Sequence, residues 1–289
     1  MSDNQLANYS IREMHEADLD FAAECTANEG WLSEDRTTLE GSIKFDPHGC
    51  FIAEQNNRPA GMCIATQYGK SGFIGELIVH SDQRGKNLGA RLLKQSIAYL
   101  KEGQAETIYL DGVLKAVPLY EWHGFRKVCR SWRFSANLDG RSSRNVRPMK
   151  VADLEQVCEL DMAAFGADRS FFIRRRLEIY PELSYVMEEN EKINGYITGR
   201  GYPERLYAGP WIVEEKIENP QDLLLSLALQ ARGRPISVGV LDVNLKACAL
   251  VRSLGFEARD DSPWRMSLGW PDDLGTSPTC FAIGSAAKG

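Results

Sequence analysis

The chain changes hydrophobic period repeatedly along its length. In the first half, residues 50–54, 60–68 and 73–79 read as strands, with 57–59 as a turn. Residues 18–28, 35–45 and 86–101 carry the longer period of helices. The last of these places Leu88, Leu92 and Tyr99 toward one side. Residues 107–110 predict a strand, 116–122 a short helix and 125–134 a final strand. The predicted order is strand, two helices, three strands, helix, strand, helix, strand.

The second half follows the same plan. Its predicted helices are 152–164, 169–179, 220–231 and 245–253, and its strands 185–189, 193–198, 206–213, 236–241 and 256–266. The fold class expected is α/β (mixed α+β), a mixed central sheet flanked by helices in each half.

The two halves also share residues. Ile11-Arg-Glu-Met-His-Glu-Ala-Asp-Leu19 returns as Val146-Arg-Pro-Met-Lys-Val-Ala-Asp-Leu154. Phe51-Ile-Ala-Glu-Gln-Asn, with Gly61 after it, returns as Tyr185-Val-Met-Glu-Glu-Asn, with Gly195 after it. Leu110-Asp-Gly-Val-Leu-Lys-Ala, then Leu119 and Gly124-Phe125, returns as Leu241-Asp-Val-Asn-Leu-Lys-Ala, then Leu250 and Gly255-Phe256. Three blocks in one order at nearly constant spacing imply two copies of one fold. The polar Asn137-Leu-Asp-Gly-Arg-Ser-Ser-Arg144 reads as the linker, so the seam is set at Gly140, giving domains 1–140 and 141–289. Two repeated cores predict a pseudo-symmetric pair resembling an isologous dimer.

With 289 residues, 43% hydrophobic and 26% charged, each half can bury its own core. The net charge of −6 argues against a nucleic-acid partner and is compatible with a cationic substrate such as an amine. None of the seven cysteines is spaced as C-x-x-C, and the count is odd. That argues against a disulfide framework and a structural zinc site, and the expected metal content is none. The polar start lacks a signal-peptide core, and no apolar run approaches the roughly 18 residues of a membrane span. A cytoplasmic protein with no membrane partner is expected.

Gly75-Glu-Leu-Ile-Val79 runs into His80-Ser-Asp-Gln-Arg84-Gly-Lys-Asn-Leu-Gly-Ala90, a strand followed by a basic, glycine-containing turn that opens a helix. Such a helix start offers backbone N–H donors and partial positive charge to a pyrophosphate. Gly85, Gly89 and Ala90 allow close approach, and Arg84 and Lys86 add charge. The competing structural reading is a plain connection capped by Asp82 or Asn87.

This segment resembles the acetyl-CoA loop of the GNAT superfamily of N-acetyltransferases, R/Q-x-x-G-x-G/A. Arg84-Gly85-Lys86-Asn87-Leu88-Gly89 matches it except that Asn87 replaces the first motif glycine. Asn is the side chain that best tolerates positive φ, so the turn can keep its shape. Leu119-Tyr120-Glu121-Trp122-His123-Gly124-Phe125 resembles the family's second signature. Both halves share the likeness, and Phe165-Gly-Ala-Asp-Arg169 and Gly209-Pro210-Trp211 are similar to a subgroup of tandem members.

The resemblance implies direct acetyl transfer from acetyl-CoA, as co-substrate, to a small-molecule or peptide amine. It implies Tyr120 as the general acid for the departing thiolate, against the alternative of a core aromatic. It also implies backbone contacts from Leu77, Ile78 and Val79, and cofactor binding by Arg84, Gly85, Lys86, Asn87, Leu88, Gly89 and Ala90. Glu76, on the strand before the loop, is the candidate base, against an exposed strand carboxylate. Asp111 is its rival, although Asp242 repeats it in the other half, which points to a shared structural task. No cysteine has a histidine at a recognisable motif spacing, so a thiol nucleophile is disfavoured.

In the second half, Val213 aligns with Val79 and is followed by Glu214-Glu-Lys-Ile-Glu218. The glycines are gone and carboxylates take their place, which is unfavourable for a pyrophosphate. Val251 aligns with Tyr120 and donates no proton. Arg174-Arg-Arg176 reads as a solvated helix face. The second half is expected to be degenerate, structural or acceptor-shaping. The rival overall reading is a non-catalytic acetyl-CoA sensor or interaction module.

Overall fold

The computed structural model describes residues 9–289. The chain divides into two compact units. The first runs to Leu110 and takes in Leu268–Trp270 and Lys288, and the second comprises Asp111–Ser267, Pro271–Ala287 and Gly289. The repeat read in the sequence and the compact units in space are therefore different divisions.

In the first unit, β1 (Tyr9–Glu13) precedes α1 (Leu19–Asn28) and α2 (Arg36–Phe45). Then come β2 (Cys50–Gln55), β3 (Arg58–Tyr68), β4 (Ser71–Val79), α3 (Leu88–Glu102) and β5 (Thr107–Gly112), whose last two residues fall in the second unit. β1 through β4 pair antiparallel in order, and β5 joins β4 in parallel. Leu19, Ala22 and Cys25 of α1 and Leu39 of α2 pack on Cys50, Ile52, Met62 and Ile64. On the opposite face of β3 and β4 lies α3. A Cβ added at Gly72 would stand 2.8 Å from Leu100 Cδ1, so glycine there lets helix and strand approach.

The second unit holds α4 (Val117–Trp122), β6 (Arg126–Ala136), β7 (Val146–Pro148), α5 (Leu154–Phe165) and α6 (Ser170–Ile179). It continues with β8 (Tyr185–Glu189), β9 (Lys192–Gly201), β10 (Leu206–Val213), α7 (Gln221–Ala228), β11 (Ile236–Leu241) and α8 (Leu245–Ser253). It closes with β12 (Glu257–Ala258), β13 (Trp264–Leu268), whose Leu268 counts in the first unit, and β14 (Cys280–Ala282). β7 to β10 pair antiparallel in sequence, and β11 lies parallel to β10. β6 runs antiparallel to β11 along one edge and to β12 and β13 along the other. A strand that belongs to the first repeat by sequence is thus interior to the second unit's sheet.

The repeated residues do repeated work. Arg12 Nη1 lies 2.6 Å from Asp18 Oδ2, and Arg147 Nη1 lies 2.7 Å from Asp153 Oδ2. The same arginines reach Glu54 and Glu188, each on the strand that pairs with the arginine's own. Met14 and Met149 are both buried. Arg169, in the second half's own motif, bonds both oxygens of Asp161 at 2.8 Å and lies 3.9 Å from the Phe165 ring centroid. Trp211 is fully buried against Phe281. Arg176, within the arginine run read as solvated, donates to Gly209 O at 3.3 Å.

Three element readings need correction. The strand expected over 256–266 is broken into β12 and β13 by the Asp260-Asp-Ser-Pro263 turn, where Ser262 N–H bonds Arg259 O. The helix expected over 220–231 stops at Ala228 and ends in turns closed by Gln230 and Ala231. The three-residue β14 was missed, being too short to show a period. All seven cysteines are free, six buried and Cys158 half-buried. Among the described residues no helix is long and apolar enough to cross a membrane.

Candidate functional site

The first unit's sheet is interrupted at Glu76. Ile64 pairs with Gly75 and Met62 with Ile78, so Cys63 alone faces both Glu76 and Leu77. Glu76 takes φ 48°, a conformation rare for glutamate. This is a β-bulge, which bends the strand and re-aims its groups. Pairing of β4 with β5 covers only Ser71 to Ile74. Among the described residues of the first unit, 75–79 therefore have no strand partner on that edge. Leu77, Ile78 and Val79 carry their backbone groups along this open edge.

Glu76 is 4% exposed, so the alternative of an exposed strand carboxylate does not hold. Its charge is felt at Cys63, whose thiol is pushed up to about 12, chiefly by burial. Cys63 receives a bond from Ser96 Oγ at 3.1 Å and is a neutral, inert thiol at physiological pH.

After Val79 the chain forms a short turn over Ser81–Gln83 and then enters α3. Gly85 has φ 77° and Asn87 has φ 61°. Asn87 thus occupies the left-handed region that the glycine substitution required of it. It stands at the N-cap position yet makes no side-chain cap. Asp82 is engaged with His80, which leaves the capping alternative without its bond. The first N–H groups of α3 have no intrahelical acceptor, and the N-cap side chain does not cap them.

Sequence reading missed what braces this turn. Arg84 donates from Nε to Val79 O at 3.0 Å and from Nη2 to Glu29 Oε1. Lys86 Nζ and Tyr9 OH both donate to Gln83 Oε1, at 2.8 and 2.7 Å. Arg91 Nη2 donates to Tyr9 O at 3.0 Å. The two cations expected to add charge are thus also ties, to α1 and to the turn itself. One signal could have revealed Glu29: a carboxylate at a helix C-terminus runs against the macrodipole. Gln83 also lines, with Phe21, Arg58 and Ala60, a cleft of about 610 Å³, so space for a ligand adjoins the turn.

Tyr120 and Asp111 belong to the second unit. Tyr120 is buried on α4, with its ring edge-on to Phe125 at 6.1 Å between centroids. Asp111 accepts from Ser131 Oγ at 2.7 Å, Arg133 Nη2 at 2.8 Å and Arg265 Nε. Burial alone would raise its pKa, but the two guanidinium groups outweigh burial and hold it below the ordinary range. A carboxylate so committed has little proton affinity left, which argues against Asp111 as a base. Asp242 accepts from Arg130 N at 3.1 Å. Both aspartates therefore bind residues of β6, although neither acts as a helix cap.

In the second copy, Glu214 takes the place after β10 and pairs with Lys192 at 2.7 Å and Lys216 at 3.2 Å. The Lys192 hydrogen bond holds its carboxyl below the usual range. Val251 is fully buried. Among the described residues no group of three or more His, Cys, Asp or Glu could hold a metal ion.

The pattern of the acetyltransferase (GNAT) family matches residues 10–125, and that of an acetyltransferase (GNAT) domain matches residues 157–275. An uncharacterized N-acetyltransferase of Bacillus subtilis, YitH, is 24% identical over 204 residues, which cover 68% of this chain and 70% of that protein. A putative acetyltransferase from Pyrococcus horikoshii superposes with a TM-score of 0.82 at 21% identity, covering 98% of this chain and 96% of that one. A tandem GNAT protein from the clavulanic acid biosynthesis pathway gives 0.61 at 14% identity, covering 91% and 100%.

Proposed function

The chain belongs to the GNAT family of acetyltransferases, with two such domains in tandem, and from that premise we propose that it moves acetyl from acetyl-CoA directly to a primary amine. The observation that carries this reading is the uncapped start of α3, entered through left-handed Asn87 directly after a bulged strand with an open edge. N–H groups at that start, with Gly85, Gly89 and Ala90, receive the pyrophosphate. Residues 77–79 bind the pantetheine arm and polarise the thioester carbonyl along the open edge.

Glu76 takes the proton that the amine loses, through a water, as the amine nitrogen bonds the acetyl carbon. Tyr120 gives its proton to the sulfur as the C–S bond breaks. The products are an N-acetylated amine and free CoA thiol, and solvent exchange then takes the proton from Glu76 and returns one to the Tyr120 phenolate, so atoms and charge balance. The second copy, with Glu214 at its turn and Val251 at the position that aligns with Tyr120, supports the fold or shapes the acceptor cleft. The acceptor is a small molecule or a peptide amine, the cell compartment the cytoplasm, and neither nucleic acid nor membrane takes part.

An amine-panel assay with acetyl-CoA, reading thiol release, tests the proposal. Thiol release that depends on both an amine and Tyr120 supports it. Tight acetyl-CoA binding with no turnover on any amine would favour a sensor instead.

A further inference from the structure

The phosphate turn has little packing of its own. Arg84, Gly85, Lys86 and Asn87 are exposed, and a Cβ built on Gly85 would meet nothing within 4 Å among the described residues. Its regular backbone bonds also thin out: Gln83 N–H bonds His80 O at 2.9 Å, and Arg84 N–H reaches Ser81 O only at 3.5 Å. Side chains hold what the backbone does not. The Arg84 guanidinium is gripped at two points, Val79 O at the end of β4 and Glu29 Oε1 at the end of α1.

Glu29 is poorly explained by its own helix. It is the C-cap of α1, where exposed carbonyls make negative charge unfavourable. Its side chain is nonetheless only 13% exposed and points to Arg84. Helix stability alone would favour a neutral or basic residue there. A partner for Arg84 accounts for the acid.

We propose that Glu29 is a positioning residue for the phosphate turn, acting through Arg84. It fixes the guanidinium that joins β4 to α1, and so holds Arg84 and Gly85 in the conformation that presents the N–H groups of α3. A turn already ordered loses less conformational freedom when it closes on a pyrophosphate. Glu29 itself makes no contact to the co-substrate and acts only through Arg84. The proposal rests on the reading of 84–90 as the phosphate site.

The test is calorimetric titration of the full chain with CoA, using the native protein, Glu29→Gln, Arg84→Gln and the double variant. Gly89→Asp serves as a control that puts a carboxylate into the cradle. Glu29→Gln is expected to weaken CoA binding by about three- to tenfold, the range of one lost charge-assisted bond that orders a loop. Arg84→Gln should weaken it at least as much, and the double variant no more than Arg84→Gln alone. Amide hydrogen exchange over 80–87 should quicken in free Glu29→Gln and return to the native rate at saturating CoA. The melting temperature should hold or rise, since a C-terminal carboxylate has been neutralised.

Native or tighter binding in Glu29→Gln would overturn the proposal, because Glu29 would then only offset the charge of Arg84. A fully additive double variant, or unchanged exchange over 80–87, would overturn it too. If Gly89→Asp and Arg84→Gln both bind CoA normally, the phosphate site is elsewhere and both readings fall. If those two weaken binding and Glu29→Gln does not, only the role of Glu29 falls.

Discussion

Arg12 grips Asp18 with both terminal nitrogens, Nη1 at 2.6 Å and Nη2 at 2.8 Å, and the same clasp recurs between Arg147 and Asp153. Burial would raise the pKa of Asp18, but its bonds to Arg12 and to His15 N–H outweigh this and lower it. Asp153 is lowered first of all by Arg147. A carboxyl whose folded pKa lies below its unfolded value stabilises the fold at pH above the unfolded value. That contribution is lost as pH falls through the folded one. Stability is therefore expected to decline below about pH 4. Asp18→Ala and Asp153→Ala should each cost about 1–3 kcal/mol at pH 7 and flatten the acid decline. Denaturant melts from pH 3 to 7 check this, and an unaltered acid slope in both variants would contradict it.

Asp111 separates a structural from a catalytic carboxylate. Its side chain is fully buried and Arg265 is only 1% exposed. Asp111→Asn leaves that guanidinium without its counter-charge, at a cost of about 3–5 kcal/mol. Thermal melting should show a large loss of stability. A variant that melts like the native protein but fails to turn over would instead make Asp111 the base.

Tyr120→Phe removes one hydroxyl and keeps the ring against Phe125. Turnover should fall by about 10²–10⁴, with acetyl-CoA affinity nearly intact and the melting temperature little changed. Glu76→Gln should give a loss of similar size, again with little effect on acetyl-CoA affinity. Steady-state rates with an accepted amine, measured where chemistry limits, check both. Native rates in Tyr120→Phe would remove that residue from the mechanism.

Much of this was legible in the sequence because it follows from local pattern. The strand and helix periods located the main elements, and β8, β10 and β11 match their expected ranges. The repeated Arg, Asp and Glu of the two halves proved to be one ion-pair network used twice. Asn87 could be read as left-handed because few other side chains tolerate that conformation. Other features depend on partners that pattern does not encode. A strand's period says which face is buried but not which strand lies beside it, so the place of β6 between β11 and β13 was invisible. The bulge at Glu76 needs the register of β3, and a single sequence carries no register.

The place of β6 makes a prediction about truncation. Residues 1–140 include β6 but none of β11, β12 and β13, its partners on both edges. Expressed alone, that fragment should expose two unpaired edges and associate or aggregate. Light scattering and circular dichroism check it. A stable, monomeric fragment would show that β6 finds other partners.

The proposed function requires one co-substrate site per chain, at the turn that opens α3. Calorimetric titration with acetyl-CoA measures this directly. The expected result is one molecule bound per chain, binding abolished or strongly weakened by Gly89→Asp, and no change on Glu215→Lys in the second copy. Two equivalent sites, or undiminished binding in Gly89→Asp, would contradict it.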